Sequence, residues 1–227
     1  MPPAPAGLQA LLSGEPPAGA SLRTLDLSSN ALGSSGCGAL AAAFATLGRQ
    51  LTRLVLAFNA ALGDADVAGL AAAMQLPRDA GAGVELDLSG VTLGAAAPAA
   101  LGAVPGLRSL NLLGGRLQGG AAQALAAALQ LPGSFPALMD LNVAACQLRL
   151  EDLQLLLGAV SGSGRGADAA AAAVASPPAP ALQVLVIGAN PAADQDGFEE
   201  AVDACRERRP GLDIHWRGGP DGAGAQG

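Results

Sequence analysis

The chain has 227 residues, which is enough for one ordinary domain or for a short repeat array. Its 53 alanines and 32 glycines, the absence of lysine and tyrosine, and a net charge of −7 argue against a phosphate-binding surface, because nucleic-acid binders need clustered cations. Glycine and proline interrupt the uncharged stretch between Arg116 and Asp140, so we expect a soluble protein without a membrane-spanning helix.

The N-terminal twenty residues have no basic region and too short an apolar stretch for a signal peptide. The three cysteines, Cys37, Cys146 and Cys205, are too far apart for a disulfide framework and lack the paired spacing of a zinc site. These features predict a reduced compartment, the cytoplasm, with the nucleus as an alternative.

An eleven-residue pattern, L-x-x-L-x-L-x-x-N-x-L, begins at Leu22 and recurs five more times along the chain. Within each copy, leucines alternate with polar residues, which predicts a short strand with one buried face. Between the copies the apolar residues change to helical spacing, which predicts helices with one apolar stripe. The stripes comprise Cys37, Leu40, Phe44 and Leu47; Val67, Leu70 and Met74; Leu150, Leu153, Leu157 and Val160; and Phe198, Val202 and Cys205.

These six copies resemble the leucine-rich repeat family, and the repeat length with true helices is similar to its ribonuclease-inhibitor-like subfamily. The resemblance implies an α/β solenoid, a horseshoe with parallel strands on the concave face and helices on the convex face. It predicts a partial repeat or cap at 1–21 and an array of about six repeats at 22–217. The array would hold a low-complexity insertion at 161–181 and be followed by a disordered tail at 218–227.

The asparagine position of the pattern has a structural role in the family, where the side chain turns inward and bonds to backbone groups of neighbouring turns. Asn30, Asn59 and Asn190 match it, and Cys146 is an alternative that the family tolerates. We call the row of inward-turned side chains and their bonds to neighbouring turns the ladder. Val91 and Gly115 do not match the asparagine position, so we expect the ladder to be weaker or water-filled there and the middle of the array to be softer.

The outward positions of successive strands should form columns on the concave face, with successive residues of a column about 5 Å apart, which is the spacing of neighbouring strands. These columns are predicted to be polar in the centre and apolar toward the sixth strand, with Phe58 and Trp216 at the margins of the face. The predicted partner-binding residues are Asp26, Arg53, Val55, Glu85, Asp87, Asn111, Asp140, Asn142, Val184 and Val186.

Residues that could support catalysis are few. His215, the one histidine, should lie exposed beside Asp213 on a final strand, and the cysteines should be buried. The acids that precede helices are explained by helix capping, and those at the start of a helix over 194–209 by its dipole. We therefore expect no enzyme, no cofactor and no metal site.

The resemblance favours a protein–protein interaction module that binds a protein partner through the concave face, as a monomer or as part of a larger chain. Neither nucleic acid nor membrane is expected as a partner. One alternative is a GTPase-activating regulator of a small GTPase, since one branch of the subfamily activates Ran. Another is a repeat fragment of a larger scaffold or receptor. For the interaction module, Asp87→Arg with Asn142→Arg should weaken binding to the concave face and leave the fold intact.

Overall fold

A computed structural model describes residues 22–47, 51–75, 83–162, 179–193 and 195–216. The predicted cap at 1–21, most of the insertion at 161–181 and the tail at 218–227 lie outside these residues. The strands are β1 Thr24–Asp26, β2 Arg53–Val55, β3 Val84–Asp87, β4 Thr92–Leu93, β5 Leu107–Asn111, β6 Arg116–Leu117, β7 Asp140–Asn142, β8 Val184–Val186 and β9 Asp213–His215. The helices are α1 Ser34–Leu47, α2 Asp64–Met74, α3 Ala96–Gly102, α4 Ala121–Gln130, α5 Leu150–Ser161 and α6 Phe198–Arg208.

Seven strands form one parallel sheet in the order β1-β2-β3-β5-β7-β8-β9, and β4 pairs with β6 in a second, two-stranded sheet. The register aligns the central leucine of every repeat, and each of these side chains is buried, since the period of two directs it to the same face. The aligned row is Leu25, Leu54, Leu86, Leu110, Leu141, Leu185 and Ile214. The predicted α/β fold with parallel strands is confirmed.

The helices alternate with the strands of the main sheet and pack against one another in chain order. The described side chains of the predicted stripes are buried, apart from Leu150, which is partly buried, and they join the leucine row in one continuous core. A carboxylate links two of the helices, because the Asp64 oxygens of α2 accept hydrogen bonds from the backbone N–H groups of Ala96 and Ala97 at 3.0 and 2.8 Å. Asp64 thus caps the N-terminus of α3, the helix of the next repeat.

One local prediction needs correction. The last helix begins at Phe198 rather than at 194, because Gly197 before it has a φ of +86°, outside the helical region. In the segment 132–137, between α4 and β7, Phe135 is fully buried and its N–H donates to the Gly102 carbonyl at 2.8 Å. This segment therefore contributes to the core.

Within the part of the chain that the structure describes, no helix has both the length and the apolarity needed to cross a membrane.

Candidate functional site: the outer face of the parallel sheet

The residues between the buried leucines form two rows on the other side of the seven-stranded sheet, which we call the outer sheet face. The register aligns the first row as Thr24, Arg53, Glu85, Ser109, Asp140, Val184 and Asp213. It aligns the second row as Asp26, Val55, Asp87, Asn111, Asn142, Val186 and His215. All ten residues predicted to bind a partner therefore lie together in these two rows.

The exposure of the predicted residues is uneven. Asp26, Arg53, Glu85 and Asp140 are exposed, whereas Val55 is only 8% exposed between its register neighbours. The remaining members are partly buried: Asp87, Asn111, Asn142, Val184 and Val186. Val55 therefore presents little of its side chain to solvent, and its predicted role in binding stays a prediction.

Four residues of the second row have a structural role that the sequence analysis missed. One Oδ1 oxygen of each accepts a hydrogen bond from the backbone N–H two residues later, at 2.9 to 3.1 Å, which forms an Asx turn at the end of the strand. The four are Asp26, Asp87, Asn111 and Asn142. Asp87→Arg with Asn142→Arg is therefore expected to remove two of these turn bonds, because arginine cannot accept them.

The outer sheet face is predominantly acidic. Its two rows hold five carboxylates, those of Asp26, Glu85, Asp87, Asp140 and Asp213, and one arginine. Arg53 lies 3.6 Å from Glu85, with both side chains more than half exposed, so this ion pair stabilises the fold little.

Two further acids of the outer sheet face have specific partners. His215 Nε2 lies 2.8 Å from Asp213 Oδ2. Hydrogen bonds from Ser28 hold the pKa of the exposed Asp26 carboxyl below its usual value, so it is ionised at neutral pH.

Asn59 satisfies buried backbone groups of two repeats. Its Nδ2 donates to the carbonyl oxygens of Leu27 and Leu56, both at 2.9 Å. Its Oδ1 accepts from the N–H groups of Asn30 at 3.1 Å and Leu32 at 2.8 Å. Because the side chain is completely buried, these bonds replace water at groups that would otherwise be unsatisfied.

The other predicted ladder residues differ in their hydrogen-bond partners. Asn190 bonds to Val143, Ile187 and Leu148 in the manner of Asn59, and Cys146 Sγ donates to the Leu112 carbonyl at 3.0 Å. Asn30 is exposed, and the bond that its amide donates stays within its own turn, to the Ser28 carbonyl at 2.9 Å.

The middle of the array joins its repeats through the backbone. Val91 and Gly115 are buried, and the chain continues from them directly into the paired strands β4 and β6. Arg116 N–H donates to the Val91 carbonyl at 3.3 Å, and Gln118 N–H to the Leu93 carbonyl at 2.9 Å. Backbone bonds between repeats therefore take the place of the asparagine amide here, and the softer middle of the array stays a prediction.

Gly115 permits this approach because it has no side chain. A Cβ atom at Gly115 would lie 2.5 Å from the Val91 carbonyl oxygen and 3.0 Å from that of Leu112. Both contacts are to backbone, which cannot rotate away. We therefore expect Gly115→Ala to lower the free energy of unfolding by about 1–3 kcal/mol in urea denaturation.

Gly69→Ala provides the matched control, because a Cβ there meets nothing within 4 Å and the residue lies inside α2. That variant should be more stable than the wild type by about 0.5–1 kcal/mol, since alanine loses less conformational entropy in a helix. Equal stabilities of the two variants would contradict the close approach at Gly115.

The cysteines are not placed for nucleophilic chemistry. All three cysteines are buried, and desolvation raises the thiol pKa to about 11 for Cys37 and to about 12 for Cys146, while that of Cys205 is also raised. Neutral buried thiols are poor nucleophiles. Across the same ranges, no cluster of three or more His, Cys, Asp or Glu side chains could hold a metal ion.

A cleft of about 530 Å³ lies beside the N-termini of α4 and α5. Its lining carries charges of both signs, from Arg116, Arg149, Glu151 and Asp152. Gln123 Nε2 donates to Asp152 Oδ1 at 2.8 Å, and Arg149 N–H donates to Asp152 Oδ2 at 3.2 Å. These bonds give the carboxylate a structural role, that of linking the two helix ends.

The C-terminal end of the array is tied to the preceding repeat by Arg209. Its guanidinium donates to the carbonyl oxygens of Leu182 at 2.8 Å, Val160 at 3.3 Å and Ala179 at 3.4 Å. Desolvation lowers the pKa of this half-buried side chain. Trp216, at the margin of the face, packs edge-on against Phe198 with ring centroids 5.3 Å apart. The sequence analysis did not predict the contacts of Arg209.

Comparison with known proteins adds little to this description. No protein-family model matches the chain, and no curated protein sequence matches it. Among solved structures, the tropomodulin C-terminal domain from Caenorhabditis elegans is similar over 89% of this chain and 90% of that one, with a TM-score of 0.45 and 12% identity. The assignment of a leucine-rich-repeat-like fold therefore depends on the strand order, register and buried leucine row of the chain itself.

Proposed function

We propose that this chain is a non-enzymatic protein-binding module that holds a protein partner on its outer sheet face. The observation that carries the proposal is the register, which aligns two rows of residues along seven parallel strands, most of them accessible to solvent. Repeat proteins typically offer such extended surfaces for binding. The proposal includes a horseshoe of the ribonuclease-inhibitor-like kind, in which this face is concave.

The acidity of the outer sheet face indicates how a partner would be selected. Complementary charge speeds association and excludes wrongly charged partners, while apolar and aromatic side chains contribute most of the affinity. A face with carboxylates at Glu85 and Asp140 and one arginine favours a partner whose contact surface is basic.

The test reverses charge at exposed residues that form no Asx turn. Glu85→Arg with Asp140→Arg should abolish capture of the partner from a native lysate, measured by affinity purification and mass spectrometry. The urea midpoint should change little, because both side chains are exposed.

Glu151→Arg with Glu207→Arg is the matched control, since it makes the same charge change at exposed positions of α5 and α6. This control should capture the partner as the wild type does. Capture that survives reversal at Glu85 and Asp140, or that is lost equally in the control, would refute the outer sheet face as the binding surface.

A further inference from the structure

Phe58 is the most exposed large apolar side chain among the described residues, with 64% of its surface accessible. It follows β2 in the turn that ends each repeat pattern, where every repeat has a residue with positive φ. The equivalent residues are Ser29, Gly90, Gly114, Ala145 and Ala189. A bulky residue at a φ of +57° is unusual and strained, and glycine occupies the same position in the next repeat. Neither burial nor backbone conformation therefore accounts for phenylalanine at this place.

The Phe58 ring lies over Gly90 of the neighbouring turn. A Cβ atom at Gly90 would be 2.8 Å from Phe58 Cδ1, so the ring fills the space that a side chain there would need. Gly90 N–H donates to the carbonyl of Leu113 at 2.9 Å, and Leu113 is itself 39% exposed. Phe58, Gly90 and Leu113 lie in the turns that follow the adjacent strands β2, β3 and β5, and we call these three residues the Phe58 patch.

The carboxylates nearest in register to this patch are those of Asp26 and Asp87. They lie on either side of Val55, the last residue of β2, and Phe58 follows three residues later. Asp87 Oδ1 accepts bonds from the N–H and the hydroxyl of Ser89, at 2.9 and 2.5 Å, which fixes this carboxylate next to Gly90. An exposed aromatic side chain beside fixed negative charges is complementary to an apolar side chain flanked by cations.

We propose that the Phe58 patch anchors a linear segment of the protein partner in which an apolar side chain is flanked by arginine or lysine. This inference rests on the proposed function and narrows it. The apolar side chain packs on the Phe58 ring and Leu113, and the flanking cations lie beside Asp26 and Asp87. The strain and exposure of Phe58 are then explained by binding rather than by folding.

The experiment selects displayed random linear peptides on the wild-type protein, with counter-selection on Phe58→Ala. Alanine occupies the equivalent position at Ala145 and Ala189, so this variant keeps a backbone conformation that the chain already uses. The expected peptides carry an apolar residue between basic ones, and their affinity decreases as salt is added. Enrichment of acidic or wholly polar peptides, or no enrichment, would overturn the inference.

The best selected peptide is then titrated against variants. Phe58→Ala should weaken binding by at least about tenfold, as expected for a hot-spot aromatic residue. Leu131→Ala, which truncates another exposed apolar side chain (59% accessible), should leave binding unchanged. Phe58→Gly should lose binding while its urea midpoint stays equal to or above that of the wild type. A lower midpoint would show that Phe58 has a structural role and would overturn the inference.

The two proposals can fail separately. If the partner is lost on reversal of Glu85 and Asp140 but retained by Phe58→Ala, the outer sheet face binds and the Phe58 patch does not anchor. If reversal at Glu85 and Asp140 has no effect, the proposed function itself fails.

Discussion

Asn59→Ala is expected to lower the free energy of unfolding by about 3–5 kcal/mol, which is a large part of the stability of a typical domain. The substitution leaves the carbonyl groups of Leu27 and Leu56 and the N–H groups of Asn30 and Leu32 buried without the partner they now have. Urea denaturation followed by circular dichroism measures the change.

Asn30→Ala is the matched control, because Asn30 holds the same position of the repeat pattern but is exposed, and its side-chain amide donates within its own turn, to the Ser28 carbonyl. Its effect should be below about 1 kcal/mol. Similar losses in the two variants would mean that the bonds across repeats contribute nothing beyond the local turn.

Raising the pH above 9 is expected to destabilise the protein steeply through its cysteines. Burial raises the thiol pKa from 9.0 to about 11 for Cys37, where Asp66 adds to the shift, and to about 12 for Cys146. The unfolded chain releases these protons first, so the stabilisation is complete below pH 9 and is lost as the pH rises toward the folded-state values. These two thiols together give a fall in stability on the order of 2 kcal/mol per pH unit near pH 10, midway between the unfolded and folded pKa values.

The composition limits the number of other groups that could contribute to this pH dependence. The chain has no lysine and no tyrosine, and arginine remains charged, so few groups other than thiols titrate in this range. Urea midpoints measured from pH 8 to pH 10.5 should fall in the wild type and fall less in Cys37→Ala with Cys146→Ala. That double variant starts from a lower stability at pH 7, because it loses two buried side chains. Parallel pH profiles of the two proteins would refute the role of the thiols.

The sequence was sufficient for the seven strands of the main sheet and for their register, because an apolar residue at a fixed repeat position must face the core in every copy. It was sufficient for α1, α2, α5 and α6 for the same reason. It was weaker for α3 and α4, since alanine lies on both their buried and their exposed faces and leaves little periodicity. The pairing of β4 with β6 depends on how closely two backbones approach at Gly115, and a single sequence does not contain that distance.

The candidate site was predictable in position but not in all its roles. Alternation placed Asp87 and Asn142 on the outer sheet face, but alternation cannot tell a side chain that awaits a partner from one already bonded to its own turn. A usable signal was present, since Asp or Asn occupies this repeat position in four copies and favours local turns. Phe58 was placed at the margin, whereas its positive φ becomes evident only in the structure.

The bonds between repeats have a consequence for how such a chain can change over evolution. Asn59 serves backbone groups of the repeat before it, and Asp64, five residues later, caps the helix of the repeat after it. Recombination that removed this unit would leave the repeat before it without Asn59 and the helix of the repeat after it without Asp64. The second repeat is therefore expected to be inherited together with both its neighbours, and loss of whole units to be tolerated better where the backbone alone joins them.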